Sequence, residues 1–357
     1  MPKAFAFLPL IGLVFLSSCS IRPVAWNPLP APAFESELEL NTELVASKKI
    51  DLLGYYGAED FVVDSEGFLY TGVHSSPTDF SSGAILRFKK DGSAEEFMKT
   101  SGWITGMSFD QTGGLVALMH GVGLLRIQAG RVDTLLTHTS DGKPLLMGAG
   151  LKIDQEGMIY FTNLSSTNKP SPKYFNKLIL EMKPTGGVYR YDPKLDLVTE
   201  ISSGNYFGNG LELSENEDFL LVSETSKYRI LKYWLKGPKA GTKEVFADNL
   251  PGFPNNISRA KNGNYWLGFT TKRNMQLEKL HSKPGMKKIV YSLPSFLQPA
   301  PEAFGMVLEL DDSGKITRAL FDPSGETVKE AGAVFENEGC LFIGGDVVQY
   351  VSKIKIK

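Results

Sequence analysis

The chain has 357 residues, of which 42% are hydrophobic, and 38 lysines and arginines nearly balance 40 aspartates and glutamates, for a formal net charge of −2. This length can bury the core of one large domain or of two small ones. Because acidic and basic residues are mixed along the chain, there is no polybasic patch to favour nucleic acid as a partner.

The N-terminus has the pattern of an export signal. Lys3 precedes an apolar run over 4–16, and two serines stand before Cys19. Such a run is typical of a secretory signal and is short for a membrane span. Residues 16–19 also resemble a bacterial lipobox, which predicts removal of residues 1–18 and a lipid on Cys19. An uncleaved anchor, or a plain signal with a chance cysteine, are the alternatives.

The resulting prediction is an exported, membrane-anchored lipoprotein that faces the periplasm or the cell exterior. Residues 19–44 contain several prolines and are predicted to form a tether to that surface. If Cys19 carries a lipid, Cys340 has no second cysteine for a disulfide, so the exported domain must rely on its apolar core.

A repeated turn between two strands organises the rest of the chain. The first copy has an alternating strand at 61–63, a Ser-Glu-Gly turn and a second strand at 68–70. The turn position recurs at Gly67, Gly113, Gly157, Glu217, Gly263 and Gly339. A repeat of roughly 45 residues built from antiparallel strands is typical of a propeller blade. The sequence therefore predicts an all-β fold, a six-bladed β-propeller with short helical insertions, over residues 45–357.

Two long gaps in the repeat predict insertions, and the chain ends predict the ring closure. The insertion at 165–184 has helical apolar spacing, consistent with a lid over a channel mouth or with a helix packed on blade edges. The insertion at 272–301 is a second candidate for the border of a mouth. Pairing of a strand near 44–53 with one near 347–356 would remove two exposed edges and close the ring.

The repeat also predicts a ring of residues around the axis, because the first strand of each propeller blade lines the central channel. Eight positions before the turn marker stand Glu59, Thr105, Ala149, Asn209, Asn255 and Ala331. The next position holds Asp60, Gly106, Gly150, Gly210, Asn256 and Gly332. The polar members fall in the first, fourth and fifth units and offer the carboxylate and amide oxygens that calcium prefers. Candidate calcium ligands are Glu59, Asn209, Asn255 and Asn256.

Several segments resemble a known family. GAEDFVVDSEGFLYTG at 57–72, the run over 209–257 and GNYWLG are similar to the strictosidine synthase-like family, whose distant relatives are the paraoxonases and gluconolactonases. The resemblance implies a six-bladed propeller with an axial active site. In the hydrolytic relatives a Glu, two Asn and an Asp hold calcium, and their motifs fall on Glu59, Asn209, Ala149 and Asn255. Ala149 therefore offers no side-chain ligand, and Asn255 lacks the negative charge of the aspartate.

The resemblance and the ring together suggest a hydrolase of lactones or aryl esters, acting on a small-molecule substrate with a weakened calcium site. Glu59 and Asp60, the acids on the ring, are the candidate catalytic residues. Thr105, His120 and Asn163 are candidate substrate-binding residues. A propeller that binds a ligand or protein without chemistry is the alternative, and a buried glutamate could simply pin the blades together. Condensation of the strictosidine type is less favoured, because the family's glutamate falls on Gly332, two residues from Glu330.

Overall fold

The computed structural model describes residues 21–165 and 171–356. It contains six four-stranded antiparallel sheets, and the first strands of neighbouring sheets contact one another around a closed ring. The predicted six-bladed β-propeller is confirmed.

The first three blades follow one another in chain order, each with its inner strand first. The first blade consists of β2 (Phe61–Val63), β3 (Leu69–Ser76), β4 (Asp79–Phe88) and β5 (Ala94–Thr100). The second consists of β6 (Ile104–Phe109), β7 (Leu115–Met119), β8 (Gly123–Gln128) and β9 (Arg131–Leu136). The third consists of β10 (Gly148–Ile153), β11 (Ile159–Asn163), β12 (Gly186–Asp192) and β13 (Leu197–Asn205).

The last three blades repeat this order, and the sixth takes its outer strand from the start of the domain. The fourth blade consists of β14 (Gly208–Leu213), β15 (Phe219–Glu224), β16 (Arg229–Trp234) and β17 (Lys243–Ala247). The fifth consists of β18 (Gly252–Arg259), β19 (Tyr265–Lys272), β20 (Gly305–Leu310) and β21 (Ile316–Asp322). The sixth consists of β22 (Ala333–Asn337), β23 (Cys340–Gly344), β24 (Tyr350–Lys355) and β1 (Lys48–Asp51).

In the repeated turns, an aspartate side chain accepts hydrogen bonds from backbone N–H groups of the turn. In the first blade, Asp64 Oδ1 accepts hydrogen bonds from the backbone N–H groups of Glu66 and Phe68, both at 2.9 Å. Asp110 and Asp154 do the same in the next two blades. Gly67 follows with a φ of +86°, a left-handed conformation that glycine adopts without strain. This local chemistry explains why the turn is the clearest repeat in the sequence.

The two chain ends close the ring. β1 pairs antiparallel with β24, with Ile50 opposite Val351, and the N–H of Leu52 donates to the carbonyl of Gln349 at 3.0 Å. Val351 and Leu52 are fully buried in the apolar cluster that also contains Phe61 of the first blade. The predicted pairing of the two ends is confirmed, and it covers the edges that each end would otherwise expose.

Both insertions carry helices at one end of the axis. The first forms α1 (Pro172–Glu181), and the second forms α2 (Met275–His281) and α3 (Pro284–Ser292), followed by a 3-10 turn at Ser295–Leu297. α1 and α3 are in contact. Among the described residues, no helix is both long and apolar enough to cross a bilayer.

The segment from Ile21 to the first strand packs against the propeller. Ile21, Leu38 and Leu44 are buried. The N–H of Val24 donates to the carbonyl of Glu181, and that of Trp26 to the carbonyl of His281, both at 2.9 Å. The region for which the sequence predicts a tether is therefore held against the insertion helices from Ile21 onward. Cys19 and the rest of the predicted export signal lie outside the described residues.

If β24 closes the ring as described, Val351→Ala should destabilise the fold by about 2 kcal/mol, because it removes two buried methyl groups and leaves a cavity. Urea unfolding followed by circular dichroism measures the change. Val245→Ala is the matched control, since Val245 lies on outer strand β17 with 47% of its surface exposed. Equal stability of the two variants would contradict closure by this strand.

Candidate functional site

The ring residues and the cavity lie at the same end of the inner strands. Asn209 and Asn255 lie near the starts of β14 and β18, and the hairpin turns lie at the opposite ends of these strands. A cavity of about 420 Å³ opens at the end where both asparagines lie. The insertion helices border the same end, because Phe175 and Ile179 of α1 and Leu277 of α2 line the cavity. This places both insertions at the mouth that carries the ring.

The cavity has an apolar wall and a polar floor. Its apolar wall includes the aromatic side chains of Phe80, Phe175, Phe207 and Phe253. Its polar lining residues include Asn209, Thr225, Asn255, Thr270, Glu330 and Asp346. A largely apolar cavity with a few convergent polar groups is the usual form of a small-molecule site.

Three acidic side chains lie close together: Glu330 and Asp346 line the floor, and Glu59 lies beside Asp346 without lining the cavity itself. Glu59 is 5% exposed and Glu330 is 8% exposed. Burial, and then the neighbouring charge of Asp346, raise the pKa of Glu59 well above its usual range. The same two causes raise the pKa of Glu330. Burying several carboxylates together is unfavourable unless a proton or a cation neutralises part of the charge.

Four acceptor oxygens around this floor receive no hydrogen bond from a donor group in the described part of the chain, and a proton shared between the Glu59 and Asp346 carboxyls is the internal partner that two of them have when Glu59 is protonated. The four oxygens are Glu59 Oε2, Asn209 Oδ1, Asn255 Oδ1 and Asp346 Oδ1, and all are buried. A buried polar atom without a partner costs about 1–3 kcal/mol. A ligand that carries positive charge or hydrogen-bond donors would satisfy such oxygens.

Threonines hold the two amides in place. Asn209 Nδ2 donates to Thr225 Oγ1 at 3.4 Å, and Thr225 Oγ1 donates to the carbonyl of Pro254 at 2.7 Å. Asn255 Nδ2 donates to Thr270 Oγ1 at 3.3 Å. Because each amide nitrogen is engaged, the side-chain oxygen of each asparagine is the atom that is left for a ligand.

These donors suit calcium, which binds carboxylate and amide oxygens. Across residues 21–165 and 171–356 there is no cluster of three or more His, Cys, Asp or Glu side chains with metal-binding geometry. A calcium ion at this floor would therefore depend on the asparagine oxygens as well as the acids.

Asn256, a predicted ligand, is engaged elsewhere. Its Nδ2 donates to the carbonyl of Glu59, and its backbone N–H donates to the carbonyl of Gly332 at 2.9 Å. These bonds join the fifth blade to the first and sixth. Asn256 therefore supports the ring and does not line the cavity.

Asp60 is also outside the cavity, although it follows Glu59 directly. Its two carboxylate oxygens accept hydrogen bonds from the N–H groups of Phe61 at 2.8 Å and Met107 at 2.9 Å. Burial raises the pKa of Asp60 to about 6, and the charge of Lys152 and these two hydrogen bonds oppose that increase. Asp60 thus links the first two blades, and the structure does not bring it to the substrate side.

The three predicted substrate-binding residues lie around Gly148 at the start of the third blade, and none of them lines the cavity. Thr105 Oγ1 donates to the carbonyl of Gly148 at 2.7 Å, and His120 Nε2 lies 3.0 Å from the same oxygen. Asn163 is buried and pairs with Gly148 across β10 and β11. Phe80 lines the cavity beside them, with its ring centroid 6.3 Å from that of His120.

The ring positions alone miss Glu330 and Asp346. Glu330 precedes the last inner strand, and Asp346 follows the second strand of the same blade in the sequence Gly344-Gly345-Asp346. A Cβ on Gly345 would lie 2.2 Å from Glu330 Cγ, so glycine makes room for the acid. Two glycines before an acid at a strand end are the sequence signal that points to this position.

Fold and site together define a six-bladed propeller with acids and amides on its axis beneath an apolar cavity. The strictosidine synthase model matches residues 149–238, and the model for the N-terminal region of strictosidine synthase-like proteins matches residues 37–88. Protein strictosidine synthase-like 3 of Arabidopsis thaliana is 31% identical over 387 residues, which cover 98% of each chain. The chain therefore belongs to the strictosidine synthase-like family, as its motifs predict.

Two further similarities concern an animal protein and a solved structure. The adipocyte plasma membrane-associated protein of Rattus norvegicus is 28% identical over 367 residues, which cover 98% of this chain and 96% of that protein. A gluconolactonase from Xanthomonas campestris has the same fold with a TM-score of 0.61 and 18% identity, covering 95% of this chain and 100% of its own. The predicted relation to gluconolactonase-like propellers is confirmed at the level of the fold.

His120 generates a prediction about acid stability. Burial lowers the pKa of His120 to about 3, while an unfolded histidine titrates near 6.5. Between these values the unfolded chain binds the extra proton. Burial of the neutral imidazole therefore does not reduce the free energy of unfolding above pH 6.5. As the pH falls below 6.5, the free energy of unfolding decreases by up to about 1.4 kcal/mol per pH unit.

Accordingly, His120→Gln should unfold with a weaker dependence on pH between 6.5 and 5 than the parent protein, as measured by urea unfolding at several pH values. His138→Gln is the control, because His138 is exposed. A pH dependence in His120→Gln equal to that of the parent would show that His120 is not buried in the neutral form.

Proposed function

We propose that this protein is an exported hydrolase that opens lactones or aryl esters, with a calcium ion at the axial floor. The observation that carries the proposal is the group of four buried acceptor oxygens beneath an apolar cavity that receive no hydrogen bond from a donor group of the described residues. The fold shared with a gluconolactonase supports this class of reaction.

Glu59, Asn209, Asn255 and Asp346 would hold the ion. The family resemblance places an aspartate at the position of Asn255. Asp346 would supply the negative charge that this asparagine lacks. A bound calcium ion would polarise the carbonyl of an ester and stabilise the negative charge that develops on its oxygen.

The remaining groups would bind the substrate and handle the proton. The phenylalanines of the wall can hold an apolar ring, and the cavity volume of about 420 Å³ suits a small molecule. Glu330 lines the cavity, and the N–H of Val347 donates to its Oε1 at 2.6 Å, which fixes the carboxyl. With the positive charge of the ion nearby, Glu330 would be ionised and would take a proton from water as the water oxygen bonds to the carbonyl carbon. The carbon–oxygen bond of the leaving group then breaks, and the proton passes to that oxygen.

A propeller that binds a ligand without chemistry is the second candidate, and Ala149 is the observation in its favour. Ala149 packs in an apolar cluster with Met147 and Phe207, so this ring position of the third blade supplies no side-chain oxygen. Gly332 weakens the case for a strictosidine-type condensation, because a Cβ there would lie 2.9 Å from Asn255 Nδ2.

If the floor is a calcium site, Glu59→Gln and Asp346→Asn should each weaken calcium binding by about tenfold or more, because ligand charge sets affinity. Asn255→Asp should tighten it. Isothermal calorimetry gives the affinities. The rise in melting temperature on adding calcium should follow the same order, because calcium binds the folded state. Glu302→Gln is the control, since Glu302 lines the cavity mouth with a half-exposed carboxylate.

Hydrolysis of a panel of lactones and aryl esters, with and without chelator, tests the chemistry of the same site. Glu330→Gln should lower kcat by about 10²-fold or more while calcium binding persists. Tight calcium binding without hydrolysis of the panel would favour the non-catalytic propeller. Calcium affinities that do not change in any floor variant would show that these oxygens do not form one site.

We also propose that a lipid on Cys19 anchors the protein to a membrane. The lipobox-like sequence at 16–19 supports this proposal. The rat relative is described by its name as plasma membrane-associated, which agrees with a membrane location.

The expected result for Cys19→Ser is release of the protein from the membrane fraction or failure of its maturation, because the lipid attachment point is gone. Membrane fractionation and intact mass measure both outcomes. Cys340→Ser is the control for the loss of a thiol. A Cys19→Ser protein with the same mass and membrane fraction as the parent would overturn the anchor.

A further inference from the structure

The second insertion connects the cavity to a surface of unusual composition. Both ends of this insertion line the cavity, with Lys272, Asn274 and Leu277 at one end and 298–303 at the other. The part between them, residues 275–297, is called the rim segment here. Large apolar side chains are exposed along it: Met275 (74%), Met286 (45%), Ile289 (55%), Phe296 (82%) and Leu297 (56%).

The rim segment is also positively charged. Lys279, Lys283 and Lys288 are exposed. Glu278 is the sole acid in the rim-segment sequence, and its carboxylate pairs with Arg273. These three exposed lysines therefore stand among apolar side chains in a chain whose overall charge is negative.

The described chain begins beside this surface. Val24 and Trp26 bond to the ends of α1 and α2, and Lys287 Nζ of α3 donates to the carbonyl of Val24 at 2.9 Å. Val24 and Leu29 expose further apolar surface, at 50% and 62%. The predicted lipid attachment point, Cys19, stands two residues before Ile21. An anchor there would hold the insertion helices toward the membrane.

We propose that the rim segment lies on the surface of an anionic lipid bilayer, so that the cavity mouth opens toward the membrane and admits apolar esters or lactones from it. Exposed apolar side chains next to lysines match a bilayer surface, because the apolar groups enter the acyl boundary and the lysines meet anionic headgroups. A second copy of the same surface would instead bring like charges together. The choice of substrate class rests on the proposed hydrolase function, whereas the orientation on the membrane does not.

Flotation of the chain from residue 20 onward with phospholipid vesicles tests the surface directly. This chain lacks both Cys19 and the apolar run at 4–16, so that neither a lipid anchor nor an uncleaved signal contributes. Binding is compared between phosphatidylcholine vesicles and vesicles that also contain phosphatidylglycerol. Phe296→Ser with Leu297→Ser should lower the partition coefficient about tenfold or more, because two exposed apolar groups are lost. Replacing Lys279, Lys283 and Lys288 by Gln should weaken binding only to the anionic vesicles, and added salt should have the same effect.

A matched control pair lies at the opposite end of the propeller. Leu195, in the connection between β12 and β13, and Leu197, the first residue of β13, are 71% and 53% exposed at the end where the hairpin turns lie. Leu195→Ser with Leu197→Ser should leave the partition unchanged. If both pairs behave alike, or if the Phe296 pair has no effect, the rim segment is not a membrane surface and a protein partner becomes the better explanation.

A fluorophore at a single position distinguishes binding through the rim segment from binding through another surface of the protein. An environment-sensitive fluorophore on Phe296→Cys, in a Cys340→Ser background, should shift to shorter wavelength and be quenched by spin-labelled lipid when the protein is on vesicles. The same probe on Thr112→Cys, in an exposed turn at the other end, should show neither effect. A water-exposed probe at position 296 on bound protein would overturn the proposal. These measurements need no substrate. They therefore test the orientation on the membrane even if the protein hydrolyses none of the esters or lactones.

Discussion

The crowding of inner strands at the axis is the constraint on which the rest of the structure depends. Six strands approach one another there, and the ring position after Thr105, Ala149 and Asn209 is glycine in each case. A Cβ on Gly106 would lie 2.2 Å from the carbonyl oxygen of Ala149, and one on Gly150 would lie 2.4 Å from the N–H of Leu211. Neither backbone atom could move without separating the blades. The missing side chains thus allow neighbouring blades to approach, and of the residues at the preceding ring position Asn209 and Asn255 line the cavity.

The closed ring gives the cavity two chemically different sides. On the side of the third blade, Ala149 packs with Leu164 and Tyr174 against helix α1, so that side is apolar. On the side of the fifth, sixth and first blades, Asn255, Glu330 and Asp346 gather beside Glu59. A substrate with an apolar ring and one polar carbonyl would be oriented by this contrast, because only the acid and amide side can stabilise charge.

The same acids are a cost to the folded protein. Burial and the neighbouring charge of Asp346 raise the pKa of both Glu59 and Glu330, which favours their protonated forms. Buried acids that destabilise a fold are typical of functional sites, where a ligand offsets the cost. The blades supply the stability that this arrangement requires through the apolar clusters between adjacent sheets and through the closure of β1 on β24.

The amino-acid sequence by itself determined the propeller, its six blades and its closure, because turns and strand alternation are local patterns that repeat, and the resemblance of its motifs indicated the family. It also predicted Glu59, Asn209 and Asn255 at one level of the axis, since a fixed offset from a turn places residues at one level, and of these Asn209 and Asn255 line the cavity. Only the tertiary structure decided which neighbours share that level. Asp60 faces the junction with the second blade, where the N–H of Met107 donates to its carboxylate. Asp346 reaches the floor from the end of a second strand. Thr105 and His120 contact the carbonyl of Gly148 in the next blade, and Asn163 pairs with Gly148 within the third blade, so none of the three lines the cavity. Those outcomes depend on packing between blades far apart in sequence, which no local pattern encodes.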